Sequence, residues 1–165
     1  MPSASPRPRD FFPLIVIFLV IVLFTMVKGI LTGTRGLTPA MLDFMAGFFL
    51  MFGGFKTIHL RDFAKSYALY DLLAKRSKAY AHLYPFIELA LGSAYLFRFQ
   101  LQIVNWITVL VMAISGLGVA KALMRKQKIN CACLGTVFKI PMTYVTLMED
   151  LLMVLMALVM MMAPH

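Results

Sequence analysis

The only two cysteines of this 165-residue chain stand one residue apart, in Ile129-Asn130-Cys131-Ala132-Cys133-Leu134-Gly135. Two chemistries are open to thiols at this spacing. They can close into a disulfide, because residues two apart in an extended or turning backbone bring their Cα atoms within the range that bond tolerates. They can also present two soft ligands to one metal ion, although they do not by themselves form the four-ligand array of a structural zinc site. Lys126, Lys128 and Lys139 lie close by in sequence, and neighbouring cations favour the thiolate, which suits exchange and metal capture alike.

The second set of chemically capable residues is ionisable and lies within apolar sequence. Glu88 falls six residues into one apolar run, and Glu149 and Asp150 fall six and seven into another. At 1.5 Å per helical residue, each sits roughly 10 Å below the end of its helix. Lys56 closes an earlier run at a comparable depth and is placed to pair with one of these carboxylates, lowering the desolvation cost of both. The competing role for any of them is purely structural, as an ion pair or as a protonated carboxyl bonded to a backbone carbonyl. His59 and His82 read as polar tips at an interface rather than ligands. Met148, Met153, Met156 and Met160 to Met162 offer thioethers to Cu(I) but read more simply as flexible apolar filler.

The elements that must position these groups follow from composition. Hydrophobic residues make up 61% of the chain and charged residues 14%, with a mean hydropathy of +0.85, a balance that a soluble surface does not tolerate. The chain reads as an integral membrane protein. Its sixteen Lys and Arg residues against seven acids would suggest nucleic acid in a soluble protein, but here they sit between apolar runs, where they orient helices; nucleic acid is not an expected partner.

A Pro/Ser/Arg tail leads into a run from Pro13 to Leu31, long enough to span and lacking a clean cleavage site, so it reads as a retained helix rather than a signal peptide. Further spans are predicted over 40–58, 82–99, 101–124 and 143–162, with the third and fourth forming a helical hairpin. Ala90 and Ala94 on one helix, and Gly116 and Ala120 on the next, are spaced for close helix packing. Residues 59–81, with Phe63, Tyr67 and Tyr70 at helical spacing among basic residues, read as an amphipathic segment at the membrane surface, its rings at headgroup depth. Thirteen of the sixteen basic residues then fall on one side. The positive-inside rule therefore puts the N-terminus, the amphipathic segment and the cysteine loop, residues 125–141, in the cytoplasm of a bacterial-type inner membrane.

The succession Gly53-Gly54-Phe55-Lys56, a basic linker, Pro85-Phe86-Ile87-Glu88-Leu89-Ala90-Leu91-Gly92, a further helix and Cys131-Ala132-Cys133-Leu134-Gly135 resembles the MauE/DoxX-like membrane family, over roughly residues 40 to 163. The resemblance implies an all-α polytopic membrane helix bundle: a four-helix DoxX-like domain over 40–165, preceded by an extra transmembrane helix within 1–39. It also implies a redox-associated role, since MauE is linked with processing, transport or disulfide maturation of the methylamine dehydrogenase small subunit. Lys56, Glu88, Cys131 and Cys133 inherit the family's site.

Two functions stay open on these grounds. One is a membrane thiol-disulfide oxidoreductase in which one thiolate attacks a partner's disulfide and the other cysteine resolves it. With no second cysteine pair, it needs a quinone or a separate redox protein as electron partner. The other is a handler of a soft metal ion (Cu, Zn or Hg), with Cys131, Cys133 and Glu149 as ligands. The expected partners are the lipid bilayer, a redox or client protein and, in a homo-oligomer, a second copy of the chain.

Overall fold

The computed structural model describes residues 12–34, 36–69, 71–125 and 144–162. These form six helices and no strand: α1 (Phe12–Leu31), α2 (Leu37–Ile58), α3 (Leu60–Tyr67), α4 (Lys78–Leu96), α5 (Leu101–Met124) and α6 (Tyr144–Met162). α1, α2 and α5 are long and apolar enough to cross a bilayer. α4 and α6 have 19 residues each, about 28 Å at 1.5 Å per residue, which matches a hydrocarbon core of about 30 Å. The molecule is an all-α membrane bundle. Its outward faces carry the large exposed side chains, among them Leu19, Leu23, Leu110, Leu117, Leu151 and Leu155, where lipid rather than water is the natural neighbour.

Local chemistry moves two helix starts earlier than expected. α2 begins at Leu37, immediately after Gly36 at φ 152, a backbone geometry open to glycine at little cost. Pro39 sits in the first turn, where a missing N–H is not needed. α4 begins at Lys78 because the Ser77 hydroxyl caps it, accepting from the Tyr80 N–H at 3.3 Å.

The pairing of helices differs from the expected hairpin. α4 makes its main interface with α2, and α5 with α6, while α4 and α5 share a much smaller one despite the short turn between them. Close approach decides this. A Cβ on Gly92 of α4 would lie 2.9 Å from Leu50 Cγ and 3.0 Å from both the Leu50 backbone N and Phe49 Cβ, so α2 and α4 meet almost backbone to backbone there. Gly53 of α2 answers one turn along, its added Cβ 3.2 Å from Glu88 Cβ. Ala90, expected at an interface, is exposed, because the face that meets α2 carries Glu88, Leu91, Gly92 and Tyr95. Gly116 does serve as expected, admitting α6 at Asp150.

α1 lies against α2. Ile21 is buried and faces Gly47, where an added Cβ would sit 3.1 Å from Ile21 Cγ2, and Lys28 Nζ pairs with Asp43 Oδ1 at 2.5 Å. α3 is amphipathic, as expected, but its aromatic side chains turn inward. Phe63 and Tyr67 are buried and stack on each other, with centroids 5.0 Å apart, while Tyr67 packs on Tyr84 of α4 at 4.5 Å. They form a roof over the ends of α2 and α4, packed inward rather than exposed. Asp71 locks the chain behind α3 by accepting from Tyr67 Oη, Leu73 N and Ala74 N.

Candidate functional site

Under that aromatic roof lies a polar cavity. Lys56 sits in the last turn of α2, where the helix dipole favours a cation, and Glu88 faces it from the middle of α4. Lys56 Nζ and Glu88 Oε1 are 2.5 Å apart, with side-chain exposures of 10% and 2%, so the charges satisfy each other away from water. The ammonium also lies over the rings of Phe63, at 5.6 Å, and Tyr84, at 5.2 Å, a placement in which the ring quadrupoles add to its stabilisation. Tyr84 precedes Glu88 by four residues and so shares its helix face.

Across the cavity stand Ser115 of α5 and Glu149 and Asp150 of α6. The enclosed space is about 20 Å³, room for about one water molecule. Among the described residues, Glu88 Oε2 and Asp150 Oδ2 are buried and accept no hydrogen bond. Glu149 is less buried and has a second exposure, lining an apolar cleft of about 500 Å³ with Leu14, Ile15, Phe18 and Leu19 of α1 and Met148 and Leu152 of its own helix. One cation therefore faces three carboxylates in a site walled by four helices and roofed by a fifth.

The arrangement brings together Lys56, Glu88, Glu149 and Asp150 from among the residues singled out by sequence. It leaves the histidines apart: His82 is exposed and bonded to its own helix at Lys78 O, and His59, whose Nδ1 is buried without a partner among the described residues, does not line the cavity. Met148 lies on the apolar cleft and Met153 in the core. Cys131 and Cys133, together with Lys126, Lys128, Leu134, Gly135 and Lys139, lie outside the described residues, as do Tyr70 and the N-terminal tail. Among the described residues no three His, Cys, Asp or Glu side chains gather as a metal-binding group.

A family model described as "Methylamine utilisation protein MauE" matches residues 36–163, which takes in every residue of the cavity and both cysteines. The chain belongs to the MauE family. α1 lies outside the match. No curated protein and no solved structure matches the chain. Within the MauE-family region, sequence reasoning passed over Ser115, Asp71 and the Tyr95 hydroxyl, which donates toward Asn105 Oδ1 and Thr108 Oγ1 at 2.8 and 2.9 Å. It also passed over Asp43. The signal for Asp43 was present: an acid early in one span and Lys28 late in the preceding one are single opposite charges in apolar sequence, and they belong at one level when the spans run antiparallel.

Proposed function

We propose that this MauE-family membrane protein exchanges thiols and disulfides with a partner protein through Cys131 and Cys133, assisting that partner's maturation, with methylamine utilisation as the family's setting. Connectivity is the observation that supports this reading. The segment bearing the cysteines joins α5 to α6, the two helices whose Ser115, Glu149 and Asp150 wall the cavity, and both the cavity and the cysteines fall inside the family match. In the reaction, the thiolate of one cysteine attacks a partner disulfide and releases one partner thiol. The second cysteine then attacks the mixed disulfide, releasing the reduced partner and leaving Cys131 and Cys133 joined; delivery of a disulfide to a client is the reverse. Turnover draws on a quinone or a second redox protein, since the chain holds no other cysteine. With this loop on the cytoplasmic side, the resting pair is the dithiol.

The test is a complementation assay for client maturation with Cys131→Ser, Cys133→Ser and the double variant, each confirmed to insert. All three should lose activity to the same extent, because half a dithiol cannot complete the exchange. Near-normal activity in either single variant ends the reading. Anaerobic purification with a thiol count and Cu and Zn analysis separates the soft-metal alternative, for which a stoichiometric ion lost on Cys131→Ser is the diagnostic result.

A further inference from the structure

Thiol exchange as written leaves the apolar cleft of about 500 Å³ without a task. The cleft exists because α1 and α6 share no interface, and so leave a gap between them at the level of Glu149. Its walls are Ile15, Phe18 and Leu19 near the start of α1, and Met148 and Leu152 beside Glu149 near the start of α6. The α1 wall lies outside the family match, so the cleft is an addition of this chain. Its size is that of a small-molecule site, for which about 300–1,000 Å³ is usual. The lining selects among occupants. Among the described residues Glu149 is the only polar side chain on the cleft, and no Lys, Arg or His lines it, so a phospholipid or fatty acid finds no cation for its anionic head. A neutral head bearing a hydroxyl does find an acceptor, in the Glu149 carboxyl. Phe18, held edge-on against Phe44 with centroids 5.3 Å apart, adds aromatic surface for a planar ring. Glu149 is the sixth residue of α6, about 7.5 Å below the end of the helix, and the segment bearing Cys131 and Cys133 joins α6 at that end.

We propose that the cleft between α1 and α6 binds an isoprenoid quinone, its ring between Phe18 and Glu149 and its apolar tail running out between the two helices into lipid. The inference rests on the thiol-exchange reading and names where that reaction's electrons go. After Cys131 and Cys133 have delivered a disulfide to a client they are left as the dithiol. The quinone takes two electrons and two protons from that dithiol: the S–S bond forms as both S–H bonds break, and the two quinone carbonyls become hydroxyls. One of those hydroxyls donates to Glu149, and the quinol then leaves sideways into the bilayer, to which the cleft is open.

The test is photolabelling of the full-length chain in detergent micelles with an azido-benzoquinone carrying a decyl tail, the labelled residues being read by mass spectrometry. The Cys131→Ser/Cys133→Ser background is used throughout, because quinones add to thiols. Label should fall on residues 14–19 and 148–152, and label confined to other residues overturns the proposal without recourse to any cleft variant. Unlabelled decyl-benzoquinol should compete and phosphatidylglycerol should not; equal competition makes the cleft a seat for ordinary lipid and overturns it. Ile15→Trp and Leu152→Trp fill the cleft from opposite walls and should each abolish labelling, whereas Leu23→Trp, at a position 63% exposed and off the cleft, should leave it intact. Retained labelling in either filled variant refutes the site. The bis-methyl ether of the quinol has no hydroxyl to donate, so it should compete about tenfold less well than the quinol, and the two should compete equally against Glu149→Leu. Equal competition before Glu149 is changed refutes its role. Since no thiol is present, the two readings fail separately: an unlabelled cleft in a chain whose exchange is intact sinks the quinone site alone, and a labelled cleft with active single-cysteine variants sinks thiol exchange alone.

Discussion

Lys56 and Glu88 stabilise this bundle mainly by satisfying each other, and the asymmetry between removing one and removing both measures that. Lys56→Met strands a carboxylate that is 2% exposed, a change that typically costs about 3–5 kcal/mol, whereas replacing both partners by apolar side chains of similar size is close to neutral. Unfolding in mixed micelles at neutral pH should therefore show Lys56→Met strongly destabilised and Lys56→Met/Glu88→Met restored most of the way. The single-variant loss should shrink on acidification, because protonating Glu88 removes the stranded charge. Equal losses in the single and double variants would mean that the side chains matter for packing alone. The cost of burying charge, applied along the sequence, was enough to single out Lys56, Glu88, Glu149 and Asp150. It was silent on Ser115 and Tyr95, whose hydroxyls carry no charge and become informative only when their neighbours are known.

Helix pairing turns on contacts smaller than a methyl group. Gly92 and Gly54 are both interior helical glycines, so both should gain about 1 kcal/mol on substitution by alanine from backbone propensity alone. At Gly54 an added Cβ meets nothing within 4 Å, whereas at Gly92 it meets the Leu50 backbone at 3.0 Å. Gly54→Ala should be neutral or stabilising. Gly92→Ala should destabilise by about 1–3 kcal/mol, since α2 and α4 must separate. Both are checked in the same unfolding titration, and a tolerated Gly92→Ala would show that the α2–α4 contact is looser than described. Neighbouring small residues gave an ambiguous signal at this interface: Ala90 and Ala94 have the right spacing, but the helix rotates so that Gly92 and Glu88 face α2 and Ala90 faces outward. Spacing marks a stripe; the partner's surface selects which stripe is used. The same holds for α3, whose alternation of charge and ring was plain in sequence while the inward direction of the rings depended on Tyr84 waiting on α4.

At the scale of the molecule, the charge bias predicts the orientation. A membrane-impermeant thiol reagent applied to intact cells should leave Cys131 and Cys133 unlabelled until the membrane is opened, and labelling of intact cells would invert the topology. The all-α membrane class was legible in the sequence alone, because hydropathy acts locally, residue by residue, against the fixed thickness of a bilayer, whereas Glu88 lies deeper in its helix than expected because α4 begins at Lys78. The pairing of Glu88 with Lys56 was expected from sequence and is found, whereas only the tertiary structure decided that α4 pairs with α2 and α5 with α6, and that Lys28 meets Asp43. Those outcomes rest on the fit between surfaces far apart in the chain, at distances of a few tenths of an ångström, and no sum along one helix contains that information.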